Sequence, residues 1–157
     1  MSFHNPPRGG AAVGVLTDLD AVETAAVIYL RLWADRGNAD TALEAEFTNS
    51  LGHHLGTETA DTLNEIGAMI AHYGRRPLMR HQVGCKCLGA DEACFANLIG
   101  AASEGNREDA MLMAALIVRP DVAPALAQLA QTYGLALRRM ANMADDLPTY
   151  SPSKTLH

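Results

Sequence analysis

The chain has 157 residues, 48% hydrophobic, 19% charged and 5% aromatic, with a formal net charge of −6. That length suits one domain with its own core, and the composition is that of a globular chain rather than a disordered one. The acidic balance argues against a nucleic-acid partner, and no run of about 18 apolar residues offers a membrane span.

Ala, Leu and Met supply much of the apolar content, and these residues favour helices. The chain reads as an all-α, single-domain bundle of about six helices over residues 1–157. Residues 1–16, with Pro6-Pro7 and Gly9-Gly10, read as a flexible arm. Asp20 and Glu23 have capping-box spacing, so a helix is expected after Asp20. Val22, Ala25, Ala26, Tyr29 and Trp33 follow at helical intervals, and Gly37 is its expected stop. A second helix is expected over residues 39–51, on Leu43, Phe47 and Leu51. A third, capped by Thr57 or Thr59, carries Leu63, Ile66, Met69, Ile70 and Tyr73. Gly67 inside it costs about 1 kcal/mol against alanine, which predicts a close helix crossing there. Pro77 suits the first position of a short fourth helix toward His81.

A further helix is expected from Ala90, with Asp91 and Glu92 in its first turn, where the helix dipole favours acids. Phe95, Leu98, Ile99 and Ala102 give its buried face. Asn106 with Asp109 signals another cap. The stretch MLMAALIV is apolar all round, which predicts a central, buried helix ended by Pro120. The last helix is expected from Val122 to Ala144, and residues 146–157 as a frayed tail. Met111, Met113, Met140 and Met143 fall at core spacing.

The chemistry-bearing stretch is Arg80–Cys87, RHQVGCKC. On a helix, His81 and Cys85 would share a face, and Cys87 would follow in the loop. Imidazole and thiolates of this kind suit zinc. Cys94, in the next helix, is the candidate fourth ligand; His72, His53 or His54 are alternatives. The start MSFHNPPRGG has no basic, apolar signal segment, so a cytoplasmic location is expected. Thiols there stay reduced, and the cysteines are then free thiols or ligands rather than disulfides. The competing readings are a small apolar Cys94 and inert loop thiols at Cys85 and Cys87.

From Ile66 to Ala90 there is no Asp or Glu, while Arg75, Arg76, Arg80 and Lys86 all lie there. Arg75, Arg76 and Arg80 are candidates for holding a phosphate or carboxylate. Their positive field also favours thiolate. The plainer expectation is a solvated basic face paired with Asp61, Glu65, Asp91 or Glu92. His53-His54 reads as a surface pair on a loop. No Glu-x-x-His, His-Glu-x-x-His, Gly-x-Ser-x-Gly or phosphate-loop pattern occurs, so an enzyme is the least supported class.

Over residues 75–141, RHQVGCKCLGADEACFANLI with REDAMLMAALIVRPD and GLALRRM resembles small uncharacterised alphaproteobacterial proteins sharing a His-x3-Cys-x-Cys-Leu-Gly pattern. The resemblance implies a bacterial cytosolic protein and carries over no site residue. Three functions follow: an accessory or regulatory protein holding zinc through His81, Cys85, Cys87 and Cys94; a thiol-redox element; or an interaction module without metal, pairing with a partner protein or with itself as a homodimer.

Overall fold

The structure, a computed structural model, describes residues 8–36 and 41–146. The capping box before the first helix is formed. The Glu23 N–H donates to Asp20 Oδ1 at 2.8 Å, and the Asp20 N–H to Glu23 Oε1 at 3.4 Å. It opens α1 (Ala21–Arg36), followed by α2 (Thr41–Leu51), α3 (His53–Tyr73), α4 (Ala90–Ser103), α5 (Arg107–Ile117) and α6 (Ala123–Asp146). The all-α reading therefore holds. The expected stop at Gly37 and the tail past Asp146 lie outside the described residues. No helix among the described residues is long and apolar enough to cross a membrane.

The central helix is α4, packed against α1, α5 and α6. Phe95, Leu98 and Ile99 point into the main core, and Ala96 meets Val27 and Leu88 in a smaller cluster on its other side. The expectation of a central MLMAALIV helix is not met. Helix α5 buries Ala110, Ala114 and Ile117 but leaves Leu112 63% and Leu116 64% exposed. Its apolar content exceeds the number of neighbours it has, because α4 and α6 cover one side only. Met113 and Met140 pack on the core, whereas Met111 and Met143 are exposed.

Helix α3 begins earlier than Thr57 or Thr59 would place it. Gly52 adopts φ +89°, a conformation that L side chains rarely take, and α3 starts directly after it. His53 and His54 consequently form its first turn instead of a loop. Gly56 then lies against the backbone of α2 at Phe47 and Thr48, and Gly67 lies beneath the indole of Trp33. Gly67 thus makes room for the Trp33 side chain of α1 rather than for a neighbouring helix backbone, and the close backbone crossing of α3 is at Gly56. The α2 side of the core is closed by Tyr29, Phe47 and Tyr133, edge to face, with centroids 5.0 and 6.4 Å apart.

Residues 77–82 form no helix. Their N–H groups are claimed by the first-turn carboxylates of α4: Met79 N–H donates to Asp91 Oδ2 (2.7 Å) and His81 N–H to Glu92 Oε2 (3.2 Å). The segment continues into β2 (Cys87–Gly89), which pairs antiparallel with β1 (Ala12–Val15); Ala12 faces Gly89 and Val15 faces Cys87, with a bulge between Ala12 and Gly14. Part of the expected N-terminal arm is therefore built into the fold, further tied by Leu16 N–H to Lys86 O (2.9 Å) and Ala90 N–H to Ala11 O (3.0 Å).

A methyl group at Gly56 would collide with main-chain atoms of α2, which no rotamer change can relieve. Gly56→Ala is predicted to lower stability by about 1–3 kcal/mol through overpacking, despite the roughly 1 kcal/mol that alanine gains in a helix. Urea denaturation measures the sign; a variant as stable as the parent would refute the close α2–α3 crossing.

Candidate functional site

Helix α1 is apolar nearly all round, and Arg31 lies in its middle, one turn after Val27 and on the same face. A fully buried arginine is tolerated only when paired. Arg31 and Glu92 both have no exposed side-chain surface, and Arg31 Nε and Nη2 donate to Glu92 Oε2 and Oε1 at 2.6 and 2.8 Å. The remaining donors face the RHQVGCKC turn. Nη1 donates to the carbonyls of Gln82 (3.2 Å) and Cys85 (2.7 Å), and Nη2 to that of Cys87 (2.8 Å). Glu92 also accepts the N–H of His81 and of Gly89, the latter at 3.0 Å.

Burial alone would raise the Glu92 carboxyl pKa. The hydrogen bonds from Arg31, Gly89 and His81 outweigh that and hold it below the ordinary glutamate value. The hydrogen bond to Glu92 likewise raises Arg31 against the opposing effect of burial. The stretch is thus shaped around a cation supplied by the chain itself, the Arg31 guanidinium, with three carbonyl oxygens aimed at it.

His81 and Cys85 are brought together, though by a turn rather than by one helical face. Cys85 Sγ lies 3.9 Å from His81 Nδ1, and Cys85 N–H donates to Gln82 O at 2.9 Å to close the turn. His81 Nε2 is buried with no hydrogen-bond partner among the described residues. Its ring lies over Gly89, where an added Cβ would stand 3.0 Å from His81 Cδ2. Cys87 is exposed, two residues from Cys85. Cys94 stands apart from this pair: its Sγ is 3.9 Å from Met113 O, and burial pushes its thiol pKa up, with Asp91 adding to the effect. His72 is on exposed α3 surface, its ring tilted against Tyr73. Among the described residues, no three His, Cys, Asp or Glu side chains are grouped so as to hold a metal ion.

The basic island is partly paired. Arg76 grips Asp91 with two bonds, of 2.7 and 2.6 Å, and Asp91 is one of the acids expected to neutralise it. Arg80 has a looser contact of 3.6 Å with Asp35, and Arg75 Nε donates to Ala115 O at 2.6 Å. His54 is 3.2 Å from Glu58, one turn on along the exposed face of α3.

Arg31 and Glu92 were missed as site residues by sequence reasoning, although Glu92 was read as a first-turn acid. The available signal was a lone cation inside an otherwise apolar helical stretch, which has to find a buried anion. No family model, curated protein or solved structure matches the chain, so the site rests on its own residues.

Arg31→Met leaves Glu92 buried without its counter-charge and orphans the turn carbonyls, and is predicted to cost about 3–5 kcal/mol in urea melts. Because Glu92 is depressed in the fold, its contribution is full above the ordinary value of 4.5 and fades as pH falls through the lower folded value. Stability measured across that acid range should therefore fall less steeply in Glu92→Gln than in the parent; equal slopes would count against the pair's role.

Proposed function

We propose that the protein is an accessory or regulatory helical module whose reactive element is the His81–Cys85 pair, and that this pair binds zinc with Cys87. The observation that carries this reading is the 3.9 Å approach of Cys85 Sγ to His81 Nδ1 on a turn whose carbonyls are held by Arg31. A donor pair held by the surrounding hydrogen bonds loses little freedom on binding an ion. Cys87 is exposed two residues on and does not stand with the pair, so its side chain would turn inward to join the ion. Three protein donors leave one tetrahedral position open to water or to a group from another molecule. Cys94, which contacts Met113 O instead, is left out of this proposed ligand set.

A second reading uses the same contact without metal. An imidazole beside the thiol places a general base next to a nucleophile, so Cys85 would act as a reactive thiol.

Zinc measured on untagged protein separates the two. The first reading expects near-stoichiometric zinc that is lost in Cys85→Ser and His81→Ala and kept in Cys94→Ser. Substoichiometric zinc unchanged by Cys85→Ser would overturn it. On metal-free protein, the second reading expects alkylation of Cys85 to outpace that of Cys94, whose raised pKa leaves less thiolate at neutral pH. Equal rates would count against a reactive Cys85.

A further inference from the structure

A separate feature lies on the other side of the 74–82 segment. Helices α1 and α3 and residues 74–80 enclose a cleft of about 570 Å³, within the size range of small-molecule sites. Its apolar wall is built by Leu30, Trp33 and Ile70, and its polar rim by Arg75, Arg76 and Arg80. Among the described residues no carboxylate lines it, in a chain whose net charge is −6.

Each part of the cleft is held in place. The Trp33 indole is pinned by Nε1 donating to Asn64 Oδ1 at 2.7 Å and lies on the bare backbone of Gly67. The rim is anchored by Arg75 N–H donating to Ile117 O at 3.0 Å and by the Gly74–Val118 bridge. The three arginines differ in what they can still do. Arg76 is neutralised by its two-bond pair with Asp91. Arg80 makes only the 3.6 Å contact with Asp35, and Arg75 uses Nε on a neutral carbonyl. Two guanidinium groups at the lip of an apolar cleft therefore retain donors and charge for a ligand.

We propose that this cleft binds a small amphipathic organic anion, a carboxylate with an apolar body. The carboxylate head pairs with Arg75 and Arg80, a geometry in which guanidinium forms charge-assisted, two-point hydrogen bonds. The body lies against Leu30, Trp33 and Ile70. A metal cation is repelled by this rim, and a concave site of this size with so few cations does not suit a nucleic-acid backbone. The site shares no residue with the His81–Cys85 pair, so it stands whether or not that pair binds zinc.

Trp33 is the single tryptophan of the chain, so its emission reports on this cleft. The test titrates the full chain with octanoate and decanoate below their micelle concentrations, with decanol as the uncharged analogue, and follows Trp33 emission. Calorimetry with decanoate and with 2-naphthoate distinguishes an alkyl from an aromatic body. Decanoate is expected to saturate one site about fifteenfold more tightly than octanoate, at roughly fourfold per methylene. Decanol is expected to bind at least tenfold more weakly than decanoate. Arg80→Gln should weaken decanoate severalfold with an unchanged thermal melt, and Arg75→Gln should weaken it severalfold with a small drop in Tm from the lost bond to Ala115 O. Ala71→Phe, which fills the cleft from α3, should abolish binding of both acids. Tight naphthoate with weak decanoate would still support the site and assign it an aromatic acid. Decanol binding as tightly as decanoate, an unchanged affinity in the Arg75→Gln/Arg80→Gln double variant, or no saturable binding of either acid would overturn the proposal.

Discussion

The buried ion pair between Arg31 and Glu92 is the constraint around which the rest of the site is arranged. A guanidinium out of water needs its charge opposed and its donors satisfied, and one carboxylate cannot do all of that. The carbonyls of Gln82, Cys85 and Cys87 supply what is left, so the 82–87 turn has to wrap over α1 at this point. Glu92 meanwhile takes N–H groups from His81 and Gly89, which ties the same turn to the start of α4. One ion pair therefore joins α1, α4 and the segment between α3 and α4.

That segment, residues 74–89, acts as a strap across the bundle. One end is clamped to α5 through Ile117 and Val118, its middle to α4 through Asp91 and Glu92, and its far end to β1. Both chemically distinctive features of the protein hang from it. The arginines of the cleft rim lie at its start, and the His81–Cys85 pair lies past its middle. Short backbone spans fixed at several points hold side chains more firmly than free loops do. This explains how a stretch without helix or long strand can present donors in a defined geometry.

Much of the helical framework was legible in the chain order of its residues. The capping box at Asp20 and Glu23 and the buried face of α4 at Phe95, Leu98, Ile99 and Ala102 depend on local spacing and side-chain type, and those survive in any packing. Less legible were the early start of α3 at Gly52, the edge position of α5 and the absence of helix at residues 77–82. In each case packing between elements, rather than the segment's own periodicity, decided the outcome. Gly52 serves a tight α2–α3 hairpin, α5 lacks neighbours on one side, and Glu92 captures the His81 N–H that a helix from Pro77 would have used internally.

The same division runs through the site. Residue type and spacing alone marked RHQVGCKC as the stretch with chemistry, and marked the acid-free segment from Ile66 to Ala90 as basic. Packing decided which of those residues meet. Cys85 turns to His81, Cys94 leans on α5, and Arg76 is absorbed by Asp91 while Arg75 and Arg80 face a cleft. The reason is that composition and periodicity describe one segment at a time, whereas a buried charge such as Arg31 is satisfied by groups 51 to 61 residues away. No local pattern encodes that pairing, and the positions of the cysteines follow from it.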